Sequence, residues 1–119
     1  MRVLVDTSVW LEHFRGRATP LEQLLLENAV LTHSIVIGEL SCGNIKSRRR
    51  ILGDLKLLPA VQEAAPSETL ELIESRRLYG KGLGYGDLQL LASALTAGVS
   101  LLSFDKALHR ISRELRVSA

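Results

Sequence analysis

Only one cysteine, Cys42, occurs in 119 residues. That excludes an intrachain disulfide and a thiolate zinc site, and it suits a reducing cytosol. Aromatic residues are almost as scarce: Trp10, Phe14, Tyr79, Tyr85 and Phe104. Stacking platforms for nucleobases are therefore few. Long apolar runs are missing too. The longest uncharged stretch, residues 88–104, has 17 residues and is interrupted by Gln89, Ser93, Thr96, Gly98, Ser100 and Ser103. A membrane span needs about 20 predominantly apolar residues. Asp6 breaks the apolar start MRVLVDTSVW, so no signal peptide is expected. Neither sign of charge dominates: 15 Lys and Arg stand against 13 Asp and Glu, a net +2. Net charge alone therefore names no partner, and the placement of charges has to decide. Aspartate is rare, at four residues, and three of them (Asp6, Asp87 and Asp105) sit beside apolar segments.

What is present is a core. Hydrophobic residues make up 46% of the chain, enough for one ordered domain spanning residues 1–119. Residues 2–5 are apolar after Arg2 and rich in β-branched valine, and read as a buried strand ending at Asp6. Thr7 or Ser8 is placed to cap a helix through Phe14. Thr19-Pro20 opens a second helix with Leu21, Leu24, Leu25 and Leu26 as its apolar stripe. Residues 29–32 read as a strand, 34–43 as a helix capped by Ser34, and 45–58 as a helix ended by Pro59. A short strand is expected near Ala60 and Val61. Helices follow over 68–79 and 87–97, the latter stopped by Gly98. Residues 99–104 read as a strand, and a last helix opens at or after Asp105. Few short strands alternating with helices predict an α/β fold: a short central parallel sheet flanked by helices on both faces.

The acids then gain meaning from position. Ligands of open parallel sheets bind beyond the carboxyl ends of the strands. Asp6 and Asp105 each follow a strand. Asp87 opens a helix after a glycine-rich stretch, and Glu39 lies in an otherwise apolar helix. Taken singly, each has a plain explanation as a cap, a turn residue or a solvated side chain. Converging, they repel: one pair at ~4 Å costs about 4 kcal/mol at an effective dielectric of 20. Such a cluster needs a cation, and oxygen-only donors favour Mg²⁺ or Mn²⁺. His13, His33 and His109 lack zinc-type spacing and read as surface or partly buried residues.

Four segments carry a resemblance: VLVDTSVWLEHF, SIVIGELSCGN, GYGDLQLLASAL and VSLLSFDKAL. In this order and spacing they resemble PIN-domain ribonucleases, and among these the VapC-type toxins of prokaryotic toxin–antitoxin pairs. The resemblance covers essentially the whole chain. It implies a PIN-like fold and a metal-dependent endoribonuclease whose acidic quartet of Asp6, Glu39, Asp87 and Asp105 holds Mg²⁺ or Mn²⁺. Ser8, or Thr7, resembles the hydroxyl residue near the first aspartate. Ser103 stands where the family often has threonine, and keeps the hydroxyl. The resemblance further implies an RNA substrate, an antitoxin partner and a homodimer. The metal at such a site lowers the pKa of a bound water and offsets charge on the phosphoryl oxygens.

The strongest local positive field is Arg48-Arg49-Arg50. It is a candidate RNA-backbone contact, or else a solvated helix face. Arg15, Arg17, Arg76, Arg77 and Lys81 can add to it. Tyr85 is the candidate base-stacking residue, and Trp10 and Phe14 are core or partner contacts. Gly80, Gly82, Gly84 and Gly86 are followed by no Gly-Lys-Ser/Thr, so they read as a flexible site edge rather than a phosphate cradle. A receiver-type phosphoacceptor domain is rejected: Thr7 follows Asp6 where an acidic pair is needed, and Asp54 lies in a helical stretch. A non-catalytic PIN-like module for RNA or protein binding is the alternative, and retention of all four acids speaks against it. An apolar groove is expected near the first helices, with a self-complementary patch elsewhere.

Overall fold

Three consecutive apolar residues, Val3–Val5, are buried throughout and form the central strand, β1. A strand covered on both faces has no polar side to offer, which is the pattern of a parallel sheet. In the computed structural model, which describes residues 1–119, β1 lies between β2 (Val30–Leu31) and β3 (Ser100–Leu102), parallel to both. Leu4 pairs with Leu31 on one side and Leu101 on the other. Burying each such leucine contributes about 1.5–3 kcal/mol.

Seven helices cover this sheet: α1 (Thr7–Phe14), α2 (Leu21–Leu26), α3 (Ser34–Ser41), α4 (Arg48–Leu57), α5 (Pro66–Ser75), α6 (Tyr85–Ala97) and α7 (Lys106–Glu114). The order β-α-α-β-α-α-α-α-β-α matches the expected α/β layering. Helix α6 is the central one: Leu88, Leu90, Leu91, Ala92, Ser93 and Ala94 are all buried along it. Gly98 ends it at φ 68°, a left-handed conformation that suits glycine.

Several boundaries differ from expectation. No strand forms at residues 60–61. Ala60 makes one isolated parallel bridge to Thr32, because Val61 N–H reaches Thr32 C=O and Thr32 N–H reaches Pro59 C=O, and the ladder stops there. Helix α4 starts at Arg48 rather than residue 45, since Ser47 sits in the left-handed region at φ 53°. Helix α5 ends at Ser75, four residues early, with Arg77 left-handed at φ 54°. Leu21 is fully buried and Leu24 and Leu25 half-buried, whereas Leu26 is 78% exposed, off the expected stripe.

The helix starts were also misjudged. Asp6, not Thr7 or Ser8, is the N-cap residue of α1. His33, not Ser34, caps α3. Helix α6 begins at Tyr85, so Tyr85 and Gly86 belong to its first turn and not to a flexible loop. At Thr7, Ser8 and Ser34 the hydroxyl expected to cap is engaged elsewhere, with Glu39, Asp6 and Glu63.

Candidate active site

Asp6 leaves the end of β1 and is 4% exposed. Its Oδ2 accepts hydrogen bonds from Ser8 Oγ and Ser103 Oγ, both at 2.7 Å. Those serines in turn accept from the backbone beyond β3: Phe104 N–H donates to Ser8 Oγ and Asp105 N–H to Ser103 Oγ, each at 3.0 Å. Two hydroxyls thus tie the acid of the first strand to the turn after the last. This is why Ser8 is not a cap.

Glu39 projects from the exposed side of α3, opposite the buried Val36 and Leu40. Thr7 Oγ1 donates to its Oε1 at 2.6 Å. Asp87, half-buried in the first turn of α6, accepts from Gly84 N–H at 3.0 Å through Oδ2 and so holds the helix start. Asp105 caps α7, its Oδ2 accepting from Leu108 N–H at 2.9 Å. One pattern covers all four acids. Each has one oxygen fixed by a protein donor, while Asp6 Oδ1, Glu39 Oε2, Asp87 Oδ1 and Asp105 Oδ1 receive none.

The charges are felt at Asp87. Burial raises its carboxyl above the usual value of 3.8, and the charges of Asp6, Asp105 and Glu39 push the same way, against the Gly84 N–H bond. No basic side chain answers them. The ion pairs of the chain join Glu12 to Arg15 and Arg17, and Glu63, far from these acids in sequence, lies 3.8 Å from the His33 ring. A set of oxygen donors without a protein cation fits a hard divalent ion. No three acidic, histidine or cysteine side chains converge tightly enough to enclose an ion by themselves.

Close helix contact helps bring the acids together. At Gly86 a Cβ would meet Ile35 Cγ2 at 3.3 Å and Glu39 Oε2 at 3.6 Å, so glycine lets α6 lie directly on α3. The sequence reading missed this role, and also the Thr7–Glu39 bond. It misjudged His33 as well, which is 1% exposed. His33 Nδ1 accepts from Ile35 N–H at 3.0 Å, which leaves the ring proton on Nε2, 3.0 Å from Ser93 Oγ. Ser93 passes its own proton to Gln89 C=O and also receives Ala64 N–H. Burial holds the imidazole below 6.5, against the opposing pull of Glu63. A polar residue between an apolar strand and an apolar helix was the available signal.

The remaining expected contacts lie at the edges. Tyr85 is 47% exposed, and its hydroxyl accepts from Gln89 Nε2 at 2.7 Å. Arg48, Arg49 and Arg50 are exposed at the head of α4; Arg48 donates to Ser41 C=O at 2.7 Å. Arg50 joins Arg15 and Lys46 around a hollow floored by Leu11, Phe14 and Ile51. An adjoining apolar hollow of about 190 Å³ is lined by Trp10, His13, Phe14, Leu25, Ile51 and Leu58, among others.

These features define a class: a short parallel α/β domain with uncompensated acids at its strand ends and helix starts. The model of the PIN domain family matches residues 3–114, and the chain belongs to that family, within its VapC-type ribonucleases. It is 41% identical over 117 residues to Ribonuclease VapC32 of Mycobacterium tuberculosis, covering 98% of this chain and 94% of that one. Solved structures share the fold. The VapBC-1 structure from nontypeable Haemophilus influenzae has a TM-score of 0.72 at 15% identity over 99% of this chain and 96% of that one. VapBC2 from Rickettsia felis, bound to a DNA fragment from its promoter, gives 0.66 at 17% identity over 98% and 93%.

Proposed function

We propose that this protein is an endoribonuclease, the toxin half of a toxin–antitoxin pair, hydrolysing RNA phosphodiesters at Asp6, Glu39, Asp87 and Asp105 with Mg²⁺ or Mn²⁺. The observation that supports this is the pattern of four carboxylates, each with one oxygen held and one free, and no basic side chain paired to any of them. The bound ion supplies an acidified water and offsets charge on the phosphoryl oxygens. Asp6, Glu39 and Asp87 would hold the ion directly or through water, and Asp105 would hold a water beside it or a second ion. Ser8, Ser103 and Thr7 fix the carboxylates so that little reorganisation is needed when RNA arrives. Arg48, Arg49 and Arg50 contact the RNA backbone outside the acidic cluster, and Tyr85 stacks on a base. With RNA as the substrate, the site of action in this reading is the cytoplasm.

The partner reading rests on the hollow beside α1. Trp10 Nε1 and His13 Nδ1 are buried there without a hydrogen-bond partner. An antitoxin segment with apolar side chains would fill the hollow between Trp10, Phe14, Leu25 and Leu58. The protein is a homodimer in this reading, and light scattering at micromolar concentration is expected to give twice the chain mass. A monomer would remove the dimer.

The deciding experiment for the site is cleavage of single-stranded RNA by the parent and Asp6→Asn, each with Mg²⁺, Mn²⁺ or EDTA. Parent activity requires the ion. The variant loses more than about 100-fold, beyond what loss of a merely supporting partner costs. A variant as active as the parent would leave the non-catalytic binding module as the better reading.

A further inference from the structure

Phe104 is an apolar ring left in water beside the acids. It is 44% exposed although Leu101 and Ser103, on the same strand end, are buried. It lies between Ser103, which holds Asp6, and Asp105. Its backbone is not free to swing: Phe104 N–H donates to Ser8 Oγ at 3.0 Å, and the next N–H donates to Ser103 Oγ at 3.0 Å. The ring therefore projects from a backbone clamped by the same two hydroxyls that orient Asp6. Of the five aromatic residues, Trp10 is buried and Phe14 half-buried in the α1 hollow. The two closest in sequence to the clustered aspartates, Tyr85 and Phe104, are both exposed. They come from different elements, the start of α6 and the turn before α7.

We infer that Phe104 is a base-stacking residue, which with Tyr85 selects single-stranded RNA by gripping unpaired bases next to the phosphodiester at the carboxylates. The inference rests on the ribonuclease reading above. A paired base presents no free face to a ring, so duplex RNA gains nothing from Phe104. Backbone contacts by the arginines do not discriminate in this way. The ring has no polar atom, so it stacks on any base and confers preference for strandedness rather than sequence.

The test is binding of a mixed-sequence single-stranded oligoribonucleotide, and of the same strand in a duplex, by fluorescence anisotropy in Ca²⁺, which offsets the carboxylates but is a poor activator of water, so that the RNA stays intact. Phe104→Ala and Phe104→Leu are expected to weaken single-strand binding about five-fold or more, while Phe104→Trp retains it. Duplex binding, weaker than single-strand binding in the parent, is unchanged in all three. Leucine keeps apolar bulk without a π face, so equal binding by Phe104→Leu and the parent would overturn the proposal. Equal parent affinity for single strand and duplex would overturn it as well. So would a Phe104→Ala protein that binds RNA normally but escapes antitoxin inhibition, which assigns the ring to the protein partner. The two readings fail separately. Phe104-dependent binding without cleavage in Mn²⁺ defeats the nuclease alone, and cleavage indifferent to Phe104 defeats the stacking alone.

Discussion

At the scale of single residues, Asp87 records what burial and three neighbouring acids do to a carboxylate. Its carboxyl titrates above the ordinary 3.8, through burial first and then through Asp6, Asp105 and Glu39. A carboxyl raised in the fold binds protons more readily there than in the unfolded chain. Its stabilising contribution is therefore complete below the ordinary value and is lost as pH rises through the raised one. Asp87→Asn removes that loss and still accepts from Gly84 N–H. In EDTA the variant is expected to melt above the parent at neutral pH, with the gap closing as pH falls toward 4. The lowered carboxyls of Glu12 and Glu63 are common to both proteins and cancel. Saturating Mn²⁺ reverses the order, because an ion at 100 times its dissociation constant stabilises the parent by about 2.7 kcal/mol. A gap independent of pH would mean that the Asp87 carboxyl is not raised in the fold. The same residues show what was legible in advance. Asp6, Glu39, Asp87 and Asp105 stood out as acids against apolar segments. Thr7 as the partner of Glu39 did not, because a contact across 32 positions leaves no local pattern.

Among elements, the decisive contact is α6 on α3. Gly86 has no Cβ to separate them, and one added there would crowd Ile35 at 3.3 Å. Gly86→Ala is expected to cost about 1 kcal/mol of stability, the low end for overpacking. It should also weaken Mn²⁺ binding, because Asp87 and Glu39 are carried apart together with their helices. Melting with and without Mn²⁺ reads both effects; unchanged values would mean that the contact is slack. The helices, the parallel sheet and the strand ends were readable from apolar periodicity and glycine stops. Helix starts were not. The sequence reading assigned caps to Thr7, Ser8 and Ser34, whose hydroxyls instead bond Glu39, Asp6 and Glu63. Local capping preference gave way to partners supplied by the tertiary fold.

Across the whole molecule, the apolar hollow and the acidic site occupy different parts of the surface but share α1, through Trp10 and Phe14 on one side and Thr7 and Ser8 on the other. Leu25→Glu places a charge in that hollow. It is expected to weaken antitoxin inhibition at least ten-fold while RNA cleavage by the free protein stays intact. Undiminished inhibition would move the partner elsewhere. The bonds that complete the acidic site span the chain: Ser103 to Asp6 across 97 positions, Phe104 to Ser8 across 96. All the residues lining the Trp10 hollow lie at or before Leu58. During synthesis at about 5–20 residues per second, the stretch from residue 58 to residue 105 takes roughly 2–9 s. The walls of the hollow are therefore synthesised before Ser103 and Asp105, yet β1 and the core are covered only once α6 and β3 exist, so the hollow and the acidic site take shape together.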